Sequence, residues 1–154
     1  MPETIDRALA EAGAEGCWLP RSQQSPRFAR RLLRGLLAEV EGGHRFAGAG
    51  ELLLSELVSN ALEHADTPGR LIWVGLEVDV TRLRIEVHDA SPVRPVLREV
   101  YDDERRGRGL VLVERLSTRW GCCPRAGGIG KIVWCECGHE NASGPAAGDA
   151  EAGR

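Results

Sequence analysis

Residues 52–92 read LLLSELVSNALEHADTPGRLIWVGLEVDVTRLRIEVHDASP. In the first part, Leu52, Leu53, Leu57, Val58, Ala61 and Leu62 recur at helical spacing and predict a helix over about 48–65. Asp66-Thr67-Pro68-Gly69 has the chemistry of a turn. Leu71 to Val78 has the apolar bias of a strand. Leu83, Ile85 and Val87 then alternate with Arg84, Glu86 and His88, the period of a half-buried strand. The short polar link Asp79-Val80-Thr81-Arg82 makes the two strands a hairpin. A helix leading into an antiparallel hairpin departs from the strict strand–helix alternation of a Rossmann unit.

Working upstream, Ser25-Pro26 can open a helix, serine capping the free amides and proline fitting the first turn. Phe28, Leu32, Leu33, Leu36, Leu37 and Val40 give that helix an apolar face, and Gly42-Gly43 ends it. Arg27, Arg30, Arg31 and Arg34 lie mostly between the apolar positions, as a solvated face or a partner surface. Cys17-Trp18-Leu19, stopped by Pro20, reads as an edge strand, and residues 1–16 as a flexible leader. Downstream, residues 90–108 hold Pro92, Pro95 and many charges and read as a long functional loop. A helix follows from Leu110 to about Leu116, then strands over about 120–123 and 130–137 around a glycine-rich turn. Residues 139–154 have no apolar period and read as a disordered tail, leaving one domain over 17–138. The expected fold class is α+β, a two-layer α/β sandwich. Its sheet is mixed and mostly antiparallel, with the helices on one face.

Composition narrows the function. With 20 basic and 23 acidic residues the net charge is -3, which gives no footprint for direct nucleic-acid binding. No apolar run approaches the ~20 residues that span a bilayer, so no membrane partner is expected. The acidic, alanine-rich start does not read as a secretory signal, and a cytoplasmic location is expected. Five cysteines, none in a C-x-x-C pair, read as buried or half-buried thiols in preference to zinc ligands or disulfides.

Two glycine-rich stretches are decoys. Gly127-Gly128-Ile129-Gly130-Lys131 runs into Ile132 and a strand, whereas a P-loop needs Ser or Thr and then a helix. Gly107-Arg108-Gly109 is half of a dinucleotide fingerprint and follows a loop. Glu56 and Asn60 are four apart and share a helix face. They could hydrogen-bond to one another. Alternatively, Asn60 offers a neutral oxygen to a magnesium ion also held by phosphates, and Glu56 takes a proton from an attacking hydroxyl. Asp89 closes the second hairpin strand, where it could cap a turn or accept a hydrogen bond from an amine such as that of adenine. Gly107 and Gly109 precede a helix and let backbone amides approach an anion, with Arg106 and Arg108 adding attraction for phosphate.

The order of these signals, ELVSNALEHA, a strand ending in HDASP, a loop, then GRGL opening a helix, resembles the ATPase family of gyrase, Hsp90, histidine kinases and MutL. Within it the chain is similar to the short anti-sigma serine/threonine kinases and their actinobacterial relatives, over roughly residues 17–137. LLLSELVSNALEHA, GRGLVLVERLSTRWG and GKIVW are the most specific stretches. The resemblance implies a Bergerat-type ATPase fold taking ATP and Mg2+. It implies Glu56 as catalytic base, Asn60 as magnesium ligand and Asp89 on the adenine amine, with His64 near the phosphate side and Ser91 in the pocket wall. Residues 92–106 would form a lid, and Arg106, Gly107, Arg108, Gly109 and Leu110 would cradle the phosphates. It also implies a homodimer with two partners, an anti-anti-sigma protein as phosphoacceptor and a sigma factor. The aspartate motif departs from the pattern: the family has a glycine two positions on and then another, whereas Asp89 is followed by Ala90, Ser91 and Pro92, and serine cannot give the same close backbone approach. That departure keeps open an alternative, a weak or inactive module on the same fold that acts by partner binding only. A histidine-kinase catalytic half would need a phosphoacceptor histidine supplied by another protein.

Overall fold

The protein, analysed as a computed structural model, is described over residues 12–63, 71–90, 105–125, 127 and 130–138, with the backbone alone for 105–110. Chain order gives β1 (Gly13–Pro20), α1 (Ser25–Glu39), a 3-10 turn (Gly43–Phe46), α2 (Ala47–Leu62), β2 (Leu71–Val78), β3 (Arg82–Asp89), α3 (Arg105–Leu116), β4 (Arg119–Pro124) and β5 (Lys131–Gly138). The five strands form one sheet in the order β1-β2-β3-β5-β4. The fold is α+β with its helices packed on one face of the sheet. Every described strand pairing is antiparallel, so the sheet is not mixed.

The core lies between the layers. Leu33, Leu36 and Leu37 of α1 and Leu53, Leu54, Leu57 and Val58 of α2 meet Ile72, Val74, Leu76, Leu83, Ile85 and Val87 of the hairpin. The expected alternation of β3 holds: Leu83, Ile85 and Val87 are buried while Arg84, Glu86 and His88 are partly exposed. The expected stripes hold at Leu33, Leu36, Leu37, Val40, Leu53, Leu57, Val58 and Ala61. Leu52 and Phe28 face solvent, and Leu54 takes a core place that the apolar count did not single out. On the opposite sheet face Arg84 stacks 4.4 Å above the Trp134 ring and pairs with Glu136 at 2.9 Å and Glu86 at 3.0 Å.

Local chemistry sets the element ends. Pro26 lies in the first turn of α1, but Ser25 does not cap the helix amides; its hydroxyl donates to the Pro20 carbonyl and ties α1 to β1. Gly42, at φ 73°, turns the chain after α1. Asp79 Oδ1 accepts from Thr81 N at 2.7 Å and Arg82 N at 2.9 Å, which closes the β2–β3 hairpin. β1 starts at Gly13, inside the stretch expected to be leader, because β2 offers an eight-residue edge and all eight β1 residues pair with it. Gly13, Ala14 and Gly16 carry no apolar period, so no strand signal is legible there. Residues 1–11 and 139–154, the remainder of the expected leader and the tail, lie outside the described residues.

These contacts also fix which element ends meet. Gly13 at the start of β1 lies against Leu36 and Val40 at the end of α1, so α1 runs back along β1. α2 reverses direction again: Arg34 pairs with Glu51 at 2.5 Å, and Arg30 Nη1 donates to Ser55 Oγ at 2.9 Å. Gly50 sits over Leu83 near the start of β3, so the C-terminal half of α2 is carried toward the end of β3. Past α3, Thr118 N donates to the Glu136 carbonyl at 2.8 Å, placing the C-terminus of α3 near the start of β3 and its N-terminus toward the other end.

Candidate functional site

One end of the sandwich therefore gathers the C-terminal half of α2, the end of β3, the start of β5 and the N-terminus of α3. Glu56 and Asn60 come from α2, Asp89 from β3 and Lys131 from β5.

Asn60 Oδ1 is buried and has no hydrogen-bond partner among the described residues. A hydrogen bond between Asn60 and the Glu56 carboxylate would run from the amide Nδ2 and would leave this oxygen without a donor. A buried amide oxygen left without a donor costs about 1–3 kcal/mol, and a hard cation would satisfy it. The residue present therefore fits a magnesium ion held jointly by Asn60 and nucleotide phosphates. Among the described residues no cluster of three His, Cys, Asp or Glu could hold a metal ion by itself.

Glu56 is one helical turn earlier and only half-buried. Burial first, and then the charge of Glu63 two turns on, push its carboxyl above the usual range for glutamate. A raised carboxyl is suited to general-base work, since it holds a proton more strongly once it has taken one.

Asp89 is 1% exposed and stands directly across the β3–β5 ladder from Lys131, which is 3% exposed. Lys131 Nζ lies 3.2 Å from Asp89 Oδ1 and 3.1 Å from Oδ2. The approach depends on Gly130, at φ 87°, where a Cβ would stand 2.0 Å from the Asp89 carbonyl oxygen. Sequence reasoning passed over Lys131 as the lysine of a failed P-loop. The available signal was a single cation opening a strand, KIVWCECG, whose other core-facing positions are Val133, Cys135 and Cys137.

The helix expected from Leu110 begins at Arg105, so Gly107 and Gly109 are helical and do not precede the helix. Glycine costs about 1 kcal/mol in a helix interior, and that propensity argument misplaced the boundary. The first four amides, those of residues 105–108, have no partner within the helix, and such a terminus favours negative charge. For Arg106, Gly107, Arg108, Gly109 and Leu110 the structure gives this backbone placement. His64, Ser91 and most of the expected lid lie outside the described residues. Cys122, Cys135 and Cys137 are buried, and burial pushes the Cys137 thiol up to about 11.

A two-layer sandwich with a carboxylate–amide pair on a helix, a buried aspartate at a strand end and a helix N-terminus directed toward the same end is compatible with a nucleotide-binding domain. The model of the histidine kinase-like ATPase domain matches residues 19–134, and the chain belongs to that family. Such domains bind ATP, usually with Mg2+. A comparison with curated proteins finds no match. Among the described residues no helix is long and apolar enough to cross a membrane.

Proposed function

We propose that the protein binds MgATP at this end of the sandwich and transfers the γ-phosphoryl group to a serine or threonine of an anti-anti-sigma protein. In this reading it also holds a sigma factor, and phosphorylation decides which partner it keeps. It acts as a cytoplasmic homodimer. The observation that carries the nucleotide reading is the partnerless buried oxygen of Asn60, one turn from a carboxyl of raised affinity for protons.

The roles follow from the chemistry of each group. Asn60 supplies a neutral oxygen to magnesium, which when bound neutralises phosphate charge. Glu56 orients the acceptor hydroxyl and takes its proton. Asp89 accepts from the base amine. The α3 amides, with Arg106, Gly107, Arg108, Gly109 and Leu110, hold the phosphates, with His64 on the phosphate side and Ser91 in the pocket wall. Positioning and charge neutralisation supply most of the rate in phosphoryl transfer, so few residues suffice.

A second reading, partner binding without chemistry, is favoured by one observation: Asp89 is already paired with a buried lysine. Calorimetry separates the two. ATP should bind saturably and more tightly with Mg2+, and Asp89→Asn should remove binding. Asn60→Ala should remove the magnesium enhancement while leaving magnesium-free binding in place. No heat at millimolar ATP would refute the kinase reading and leave the partner-binding module.

A further inference from the structure

We infer that Lys131 reads the nucleotide base jointly with Asp89, the carboxylate accepting from the amino group of a 6-aminopurine and the ammonium donating to the neighbouring ring nitrogen N1. This rests on the nucleotide reading above and extends it to a residue with no assigned role.

The pair is built into the sheet. Asp89 and Lys131 are register partners, both buried, with Nζ within 3.2 Å of each carboxylate oxygen. A stability role accounts poorly for it, because a buried ion pair is often matched or bettered by apolar side chains of similar volume. Every other core-facing residue of β5 is apolar or a thiol. The exception occurs at the first residue of the strand, at the sandwich end where Asn60 and the α3 amides also gather. There a carboxylate offers about four lone-pair directions and an ammonium three protons, so neither is saturated by the other. The pair therefore presents an acceptor beside a cationic donor. The edge of a 6-aminopurine presents the complement, an N–H donor beside an unprotonated ring nitrogen. Sharing keeps the buried charges paired throughout, whereas displacement of Lys131 by a neutral amine would strand an ammonium away from water.

The test is calorimetry on the full chain with Mg2+, using ATP, 1-deaza-ATP, in which N1 is a C–H, and 7-deaza-ATP as a control. The unaltered protein should bind 1-deaza-ATP about 10- to 100-fold more weakly than ATP, the range of one hydrogen bond to a charged group. It should bind 7-deaza-ATP as it binds ATP. Lys131→Met should weaken ATP by a similar factor and no longer distinguish ATP from 1-deaza-ATP. The analogue series on the unaltered protein decides the matter even where the variant fails to fold. Equal affinity for ATP and 1-deaza-ATP would overturn the role of Lys131 while leaving the nucleotide site intact. Tighter ATP binding by Lys131→Met would also overturn it, by making the lysine a competitor of the base. Absence of ATP binding would instead sink the nucleotide reading and this inference with it.

Discussion

Replacing Gly130 by alanine tests how tightly the start of β5 is held against the end of β3. The residue sits at φ 87°, where a side chain costs about 1–2 kcal/mol. Its new Cβ would stand 2.0 Å from the Asp89 carbonyl oxygen, 2.8 Å from Ala90 Cα and 3.0 Å from Asp89 C. All three atoms are backbone, so no rotamer change relieves the contact, and the two strands must part locally. Losing one ladder hydrogen bond there adds about 0.5–1.5 kcal/mol, for an expected destabilisation of about 1.5–3.5 kcal/mol. Urea unfolding should show this as a lower midpoint with an unchanged slope. The same displacement separates Lys131 from Asp89, so ATP affinity should fall as well. A variant whose stability lies within about 0.5 kcal/mol of the parent, the usual range of a neutral surface change, would refute the close packing at this turn.

Gly16→Ala makes an equally short contact with a different outcome: the new Cβ would lie 2.3 Å from Trp73 Cζ2, the outer part of a side chain on the solvent-facing side of the sheet. The ring can swing away, so stability should fall by no more than about 1 kcal/mol while the Trp18–Trp73 edge contact, at 5.3 Å, is lost from the near-UV circular dichroism; an unchanged aromatic spectrum would contradict this. Glu56→Gln probes the raised carboxyl. A pKa raised by folding adds stability that is complete below the unfolded value and is lost as pH rises through the folded value. The variant should therefore melt above the parent at about pH 8, with the gap shrinking at about pH 4, and a gap independent of pH would remove burial and Glu63 as causes.

The hairpin and both long helices were legible because their apolar residues follow a period of two or of 3.6 and their links are turn residues, as at Asp79–Arg82. The start of β1 was not, because Gly13, Ala14 and Gly16 pair through backbone alone and owe their conformation to the exposed edge of β2. The start of α3 was missed for the opposite reason, glycine propensity suggesting a loop where the chain is helical. Glu56, Asn60 and Asp89 stood out by spacing and by position at element ends. Lys131 did not, since its importance comes from a residue 42 positions away that antiparallel pairing brings opposite to it.

That pairing also bears on Ser91, which stands where the resemblance to the ATPase family implies a glycine. A glycine there would let backbone approach the base, and serine removes that freedom. A buried carboxylate with no donor beside it would cost several kcal/mol, so the end of β3 needs a cation or a base amine at all times. Lys131 meets the need without nucleotide, and because an ammonium has three protons it can meet it with nucleotide too. On the proposed base reading, Lys131 would supply from across the ladder a contact that the residues after Asp89 do not. If so, Ser91→Gly should change ATP affinity less than Lys131→Met does, as calorimetry on the two single variants would show. Replacing Ser91 by glycine in the Lys131→Met background is the double substitution that distinguishes compensation from independent contributions.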